Sequence, residues 1–408
     1  MIEKEILKNF CVLALSKGVN LRRGQCVEIV CPTEKREVAY AMAETAYMLG
    51  AKDVNVRWED ENFDKIRLTY SSEETLSVYP KWKVLSKEYL IENDYCYVAI
   101  DAGDPDAFNE IDSKKIASCS RAKSLALKSF FKKVMENQIR WCVVAVPTEK
   151  WAKKVFPNST NPILDLSLAI EKCMRLDSEN PIKEWDKHVE NLSKRANYLN
   201  EKNFEYLLFK NSLGTNAKIF LAKNHVWTSA KEKAKDGVEF IANMPTEEIF
   251  TAPHRKYSCG VIKSAMPLCY NGKIIDGISL TLKDGKIVDF SAKTGEDVLK
   301  ELIFTDKGTC RLGEVALIGK NSPIAKQNVL FYNTLFDENA SCHLAIGKAY
   351  PTTVKNGDTL TDKELKELGV NDSIEHVDFM IGTEDLSIIG VTEQGEETPL
   401  FINGEWII

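Results

Sequence analysis

Two periodicities divide this chain, and the order in which they occur restricts its fold more than any other feature. Through about residue 180, short apolar runs alternate with amphipathic stretches. Ile6, Phe10, Leu13 and Leu15 give the opening segment helical spacing, and CVEIVC at 26–31 suits a buried strand. An Ala- and Glu-rich helical stretch follows over 35–49 and stops at Gly50. Further strands are expected at 53–56, 95–100 and 141–146, the last two separated by a Lys/Ala/Ser-rich helical stretch over 113–135. Strands that alternate with helices predict a parallel sheet covered on both faces. The first domain, 1–180, is therefore expected to be α/β, with a Rossmann-like or flavodoxin-like parallel sheet.

Around DSENP (177–181) the composition turns polar, and a charged helix is expected over 185–199. Beyond it the pattern changes to short strands and tight turns. The runs 204–209 and 217–222 read as a pair, and Asn271-Gly272, Asp284-Gly285 and Asn403-Gly404 are hairpin signals. The second domain, 181–408, is expected to be α+β, largely antiparallel, and to carry the catalysis.

Composition removes several function classes. A net charge of -6 and a pI near 5.7 do not supply the basic surface of a nucleic-acid binder. No apolar run approaches the roughly 20 residues of a membrane span, and the charged opening MIEKEILKNF lacks the core of a signal peptide. Eleven cysteines without a Cys-x-x-Cys pair argue against a disulfide framework or a Cys-rich zinc site, and suggest reduced thiols in a cytoplasmic protein. A nucleotide site finds no support either. Neither G-x-G-x-x-G nor G-x-x-x-x-G-K-[ST] occurs, and the turn DAGDPDAF after the 95–100 run has the wrong sign to cradle phosphate.

The chemistry concentrates between 336 and 379. The chain has five histidines, and two of them, His343 and His376, stand here among carboxylates. The Ala-rich, Pro-free stretch 339–349 predicts a helix, which would place His343, Gly347 and Tyr350 on one stripe and leave room at Gly347. HVDFMIG predicts a strand, from which His376 and Asp378 project together. An imidazole and a carboxylate on one strand, near a second imidazole, are the parts of a catalytic metal site. Taken singly, each has a plainer reading, since a Glu at a helix start often only complements the dipole. Glu314 stands out because it interrupts the apolar run RLGEVALIG: such a carboxylate is either on the solvent face of the strand or paired, hydrogen-bonded or metal-bound.

In this order and spacing, MPTEEIFTAP, RLGEVALIG, LFDENASCHLAIGKAYP and HVDFMIG resemble the thermophilic-type metalloaminopeptidases, the family of aminopeptidases T, S and II. The opening segment and the closing NGEW are similar to that family too, so the resemblance covers essentially the whole chain. It implies an exopeptidase that removes N-terminal amino acids with two divalent metal ions, working as a homodimer on peptides with a free N-terminus. The family's metal ligands fall here on Glu248, Glu314, Glu338, His343, His376 and Asp378, and its active-site tyrosine on Tyr350. Of Glu247 and Glu248 the motif selects the second, and Glu338 is either a direct ligand or a base behind the ligands. His254 departs from the pattern, which leads one to expect an acidic residue there.

The residue types suit that chemistry. Two metals can share a bridging carboxylate, for which Glu314 is the candidate, and can generate hydroxide at neutral pH. Glu314 would also have proton-transfer duty, and Tyr350 would donate to the tetrahedral oxyanion. Oxygen and nitrogen donors suit Zn, Co and Mn alike, so the ligands do not name the metal. A mononuclear zinc hydrolase would need fewer acidic ligands. A Cys342 nucleophile is disfavoured because on a helix its side chain diverges from that of His343. A non-enzymatic relative would be expected to have lost ligands, whereas all six positions are filled.

Overall fold

The computed structural model describes residues 4–270 and 273–408, which form two compact units. The first comprises the chain up to His188 together with Lys231–Pro245; the second comprises Val189–Ala230 and Thr246–Ile408.

The first unit is built on four parallel strands in the order Asp53–Glu59, Cys26–Pro32, Tyr95–Asp101, Trp141–Ala145. This is the order of the flavodoxin-like alternative. Val27, Ile29, Val30 and Cys31 are buried, as expected of a strand covered on both faces, and the one carboxylate in the run, Glu28, is buried beside Arg57 and Lys87. The expected helix over 35–49 is Arg36–Met48, and the 113–135 stretch is two helices, Ser113–Ala126 and Lys128–Met135. Lys231–Pro245 returns from later in the chain: Ala242 accepts from the Val143 amide at 2.8 Å and the Met244 amide donates to Val143 at 3.0 Å. The segment thereby covers the free edge of the last strand.

In the second unit, the long charged helix Pro181–Lys202, which begins in the first, leads to an eight-stranded antiparallel sheet. Tyr206–Lys210 and Asn216–Phe220 pair at its centre. Asp284 (φ 51°) and Gly285 (φ 69°) turn Ser279–Lys283 into Lys286–Ser291 with both residues left-handed, the conformation for which Asp-Gly is selected. Asn403 and Gly404 do the same near the end of the chain. Asn271-Gly272 lies outside the described residues; the flanking Leu268–Tyr270 and Lys273–Ile275 pair with each other.

A second antiparallel sheet in this unit matters most. Its order is Ile249–Thr251, Leu312–Leu317, His343–Gly347, His376–Met380. The 376–380 strand is as expected, but the expected 339–349 helix does not form. Glu338–Ala340 is a single 3-10 turn, and His343–Gly347 is a central strand. This run pairs with a neighbouring strand on each edge, and that outweighs the modest helical preference of its single alanine.

Candidate metal centre

Register explains how residues from four strands reach one point. Glu314 pairs with Ala345, and Ala345 with Asp378, so these three share a row on one face. Side chains two apart on a strand share a face, which adds His343, Gly347, Ala316 and His376. Phe250 opposes Ala316 and belongs to the same face, and Glu248 precedes it by two residues. Between the ionisable groups stand Ala316, Ala345 and Gly347, whose small size leaves open the space that the others surround.

His343 Nε2 lies 3.2 Å from Glu248 Oε2, 3.3 Å from Glu314 Oε1 and 3.9 Å from Asp378 Oδ1. His376 Nε2 lies 3.8 Å from Glu314 Oε2 and 3.4 Å from Asp378 Oδ1. Glu314 therefore divides its two oxygens between the two imidazoles. Two groups able to hold a metal ion result, Glu248–Glu314–His343 and Glu314–His376–Asp378, each with ligand atoms within 4.8 Å of one another. Glu314 belongs to both.

Both imidazoles are aimed from behind. His343 Nδ1 donates to the Glu338 carbonyl at 2.8 Å and His376 Nδ1 to the Lys348 carbonyl at 2.6 Å. A carbonyl only accepts, so each ring donates from Nδ1 and presents Nε2 to the carboxylates.

The electrostatics show a nest in need of positive charge. Glu248, Glu314, Glu338 and Asp378 are all buried beside His343 and His376. Burial pushes Glu314 up to about 7, despite its hydrogen bond from His343. Burial, then Asp378 and Glu248, hold Glu338 well above the ordinary carboxyl range. Burial opposes charge on His376, yet Asp378 and Glu314 outweigh it and raise the imidazole to about 10; His343 is likewise raised by Glu248 and Glu314. Asp378 goes the other way: His376 outweighs the effect of burial and keeps it below its usual value. Asp378 Oδ1 is buried, with the two imidazoles at 3.4 and 3.9 Å and no well-formed hydrogen bond, an arrangement a bound cation would repair. The donor set, carboxylate oxygens and imidazole nitrogens at this spacing, fits divalent ions.

The remaining candidates take different places. Glu338 lies in the 3-10 turn beside the nest, outside both three-residue groups, and its Oε1 accepts from Asn339 Nδ2 at 3.3 Å. Tyr350 follows the His343–Gly347 strand and does not share a helix stripe with His343. Its ring meets His376 edge-on at 5.2 Å between centroids and Phe250 at 6.0 Å. Cys342 and His343 sit on an extended backbone, not on a helix. The thiol is buried, donates to the Ile318 carbonyl at 3.3 Å, and faces away from the nest by strand alternation. His254 stacks on Tyr257 at 4.2 Å with its pKa pushed down to about 4 by burial. Three features carried no signal in the sequence: the carbonyls that aim the imidazoles, the row of small residues, and the amide of Asn339.

The family model of thermophilic metalloproteases, M29, matches residues 3–406. The chain is 42% identical to aminopeptidase 2 of Geobacillus stearothermophilus over 406 residues, covering 99% of this chain and 98% of that one. It is 40% identical to aminopeptidase AmpS of Bacillus subtilis, with 98% of each chain covered. The solved structure of AmpT from Thermus thermophilus superposes with a TM-score of 0.93 at 34% identity, over 99% of this chain and all of that one. Matches of this length, on a fold that brings Glu314, His343, His376 and Asp378 to one face of one sheet, place the chain in the M29 family of thermophilic metalloproteases, as a metalloaminopeptidase.

Proposed function

We propose that this metalloaminopeptidase removes N-terminal amino acids from peptides with a free N-terminus, using two divalent ions. Glu248, Glu314 and His343 would hold one ion, and Glu314, His376 and Asp378 the other, with Glu314 as the bridge. The observation that carries this reading is the division of the two Glu314 oxygens between the two imidazoles, at 3.3 and 3.8 Å. When bound, the ions would supply Lewis acidity at the scissile carbonyl and lower the pKa of water enough to yield a nucleophile near neutral pH.

The protein's own groups do the rest. Glu338 keeps Oε2 for a proton while Oε1 takes the Asn339 amide, which suits it to accept a proton from the attacking water and return it to the leaving amine. As a direct ligand, it would instead present Oε2 to an ion. Glu338→Gln separates the two: loss of a base lowers kcat at full metal stoichiometry, whereas loss of a ligand lowers metal affinity. Tyr350, held between His376 and Phe250, is placed to donate its phenol hydrogen to the developing oxyanion. The neutral α-amine of a free N-terminus could serve as a ligand to one ion, a role that an acetylated nitrogen cannot fill.

This reading keeps the chemistry in the domain 181–408 and leaves 1–180 as the scaffold. It includes the homodimer the family suggests and a cytoplasmic location, the latter in keeping with eleven cysteines that form no Cys-x-x-Cys pair. The test is hydrolysis of a leucyl chromogenic amide before and after chelation, with Zn, Co or Mn returned. Activity should vanish and come back, and the N-acetylated amide should stay intact. Undiminished turnover after exhaustive chelation would refute the proposal.

A further inference from the structure

Four of the six residues assigned above, Glu314, His343, His376 and Asp378, sit in strands whose ladders fix them. Glu248 and Glu338 do not: Glu248 precedes the Ile249–Thr251 strand, and Glu338 opens a 3-10 turn. Something else must hold these two carboxylates within the few tenths of an ångström that such a site demands.

We propose that Asn339 is the positioning residue that does so for both at once. The side chain is completely buried. Its Oδ1 accepts from the Glu247 amide at 2.7 Å, and its Nδ2 donates to Glu338 Oε1 at 3.3 Å and to the Leu335 carbonyl at 3.1 Å. The orientation of the amide is fixed by chemistry, because the Glu247 N–H can meet only an acceptor. Both donors and the oxygen are in use, so the group is saturated. One bond ties down the backbone that carries Glu248. Another engages Oε1 of Glu338 and so fixes the direction in which its carboxylate faces the nest. The adjoining Glu338 carbonyl aims His343, so this turn coordinates three of the site's groups. The inference rests on the metal-site reading for what Glu248 and Glu338 do, and on hydrogen-bond geometry for what Asn339 does to them.

Asn339→Asp tests it with almost no change of shape. The variant keeps the acceptor for the Glu247 amide, loses the donor to Glu338, and sets a second carboxylate against it. Expected are a native circular-dichroism spectrum, kcat lower by about 10–100-fold with KM altered far less, and weaker Co(II) binding by titration at unchanged stoichiometry. The decisive measurement is a double-mutant cycle with Glu338→Gln. If Asn339 acts through Glu338, adding Asn339→Asp to the Glu338→Gln protein produces little further loss of kcat. Full additivity, or wild-type kcat and Co(II) affinity in a folded Asn339→Asp protein, overturns the proposal. Should Asn339→Asp fail to fold, Asn339→Ser, which gives up the bonds to both Glu247 and Glu338, replaces it, and wild-type kcat and Co(II) affinity in that folded protein overturn the proposal. Failure of the metal reading itself looks different: the wild type then binds no Co(II) and ignores chelation, whatever the cycle shows.

Discussion

Glu314 is the residue on which the site's geometry converges, and its environment makes it sensitive to the smallest change. Glu314→Gln conserves volume but replaces one acceptor oxygen with a donor, so it can no longer face both imbalanced halves of the nest as a carboxylate. We expect a folded protein whose turnover falls at least about 100-fold, read in the leucyl-amide assay alongside a Co(II) titration. Hydrolysis near the wild-type rate would remove Glu314 from the mechanism. Tyr350→Phe deletes a single oxygen while keeping the ring contacts with His376 and Phe250. An oxyanion donor acts in the transition state, so kcat should fall by about 100-fold with KM little changed. An effect confined to KM would reassign Tyr350 to substrate binding.

Single elements show two further dependencies. The His343–Gly347 strand contributes as much by its small residues as by its histidine. Ala345 lies in the row between Glu314 and Asp378 and is fully buried. Ala345→Val adds two methyl groups into that space, at a cost to stability of about 1–3 kcal/mol. Co(II) uptake should be lost even where the variant remains folded, and full uptake would show that the row does not bound the site. In the first unit, Lys87 of the Lys81–Glu92 helix is buried against the parallel sheet, 3.7 Å from Glu28 Oε1 and 4.4 Å from the centre of the Tyr97 ring. Burial pushes its pKa from 10.5 down to about 7. Between those values the unfolded chain binds the extra proton, so this residue makes stability rise with pH above about 7 and leaves it flat below. Lys87→Met abolishes that titration while Glu28 keeps Arg57 at 2.8 Å. Urea unfolding of both proteins at pH about 6.5, 8 and 9.5 should show the wild type gaining on the variant as pH rises. A pH-independent difference would refute the assignment.

For the whole molecule, the division into two units has a thermodynamic consequence, since every residue of the candidate centre lies in one of them. Ions that bind only the native state add stability to that unit, about 2.7 kcal/mol at one hundred times the dissociation constant. Chelation should therefore lower the calorimetric transition of the unit that contains Thr246–Ile408 and leave the other transition in place, and returning Zn or Co should restore it. A thermogram indifferent to chelation would argue against resident ions. Much of this architecture was legible along the chain. The alternation of runs through residue 180 carried the parallel sheet, because strands joined by helical crossovers lie parallel. Asp284-Gly285 carried its hairpin, because both positions need left-handed backbone that this pair adopts cheaply. The strand from His376 was legible from its β-branched and aromatic residues, and the family from ordered motifs whose resemblance spans the chain. Tertiary structure alone decided the rest. Local preference favoured a helix over 339–349, and pairing on two edges made His343–Gly347 a strand. The return of Lys231–Pro245 to the first unit, the carbonyls behind His343 and His376, and the span of Asn339 from Glu247 to Glu338 are contacts between residues far apart in sequence or between backbone atoms common to every residue. A linear pattern records which side chains are available and with what period they recur; only the closed ladder of hydrogen bonds fixes which of them face one another.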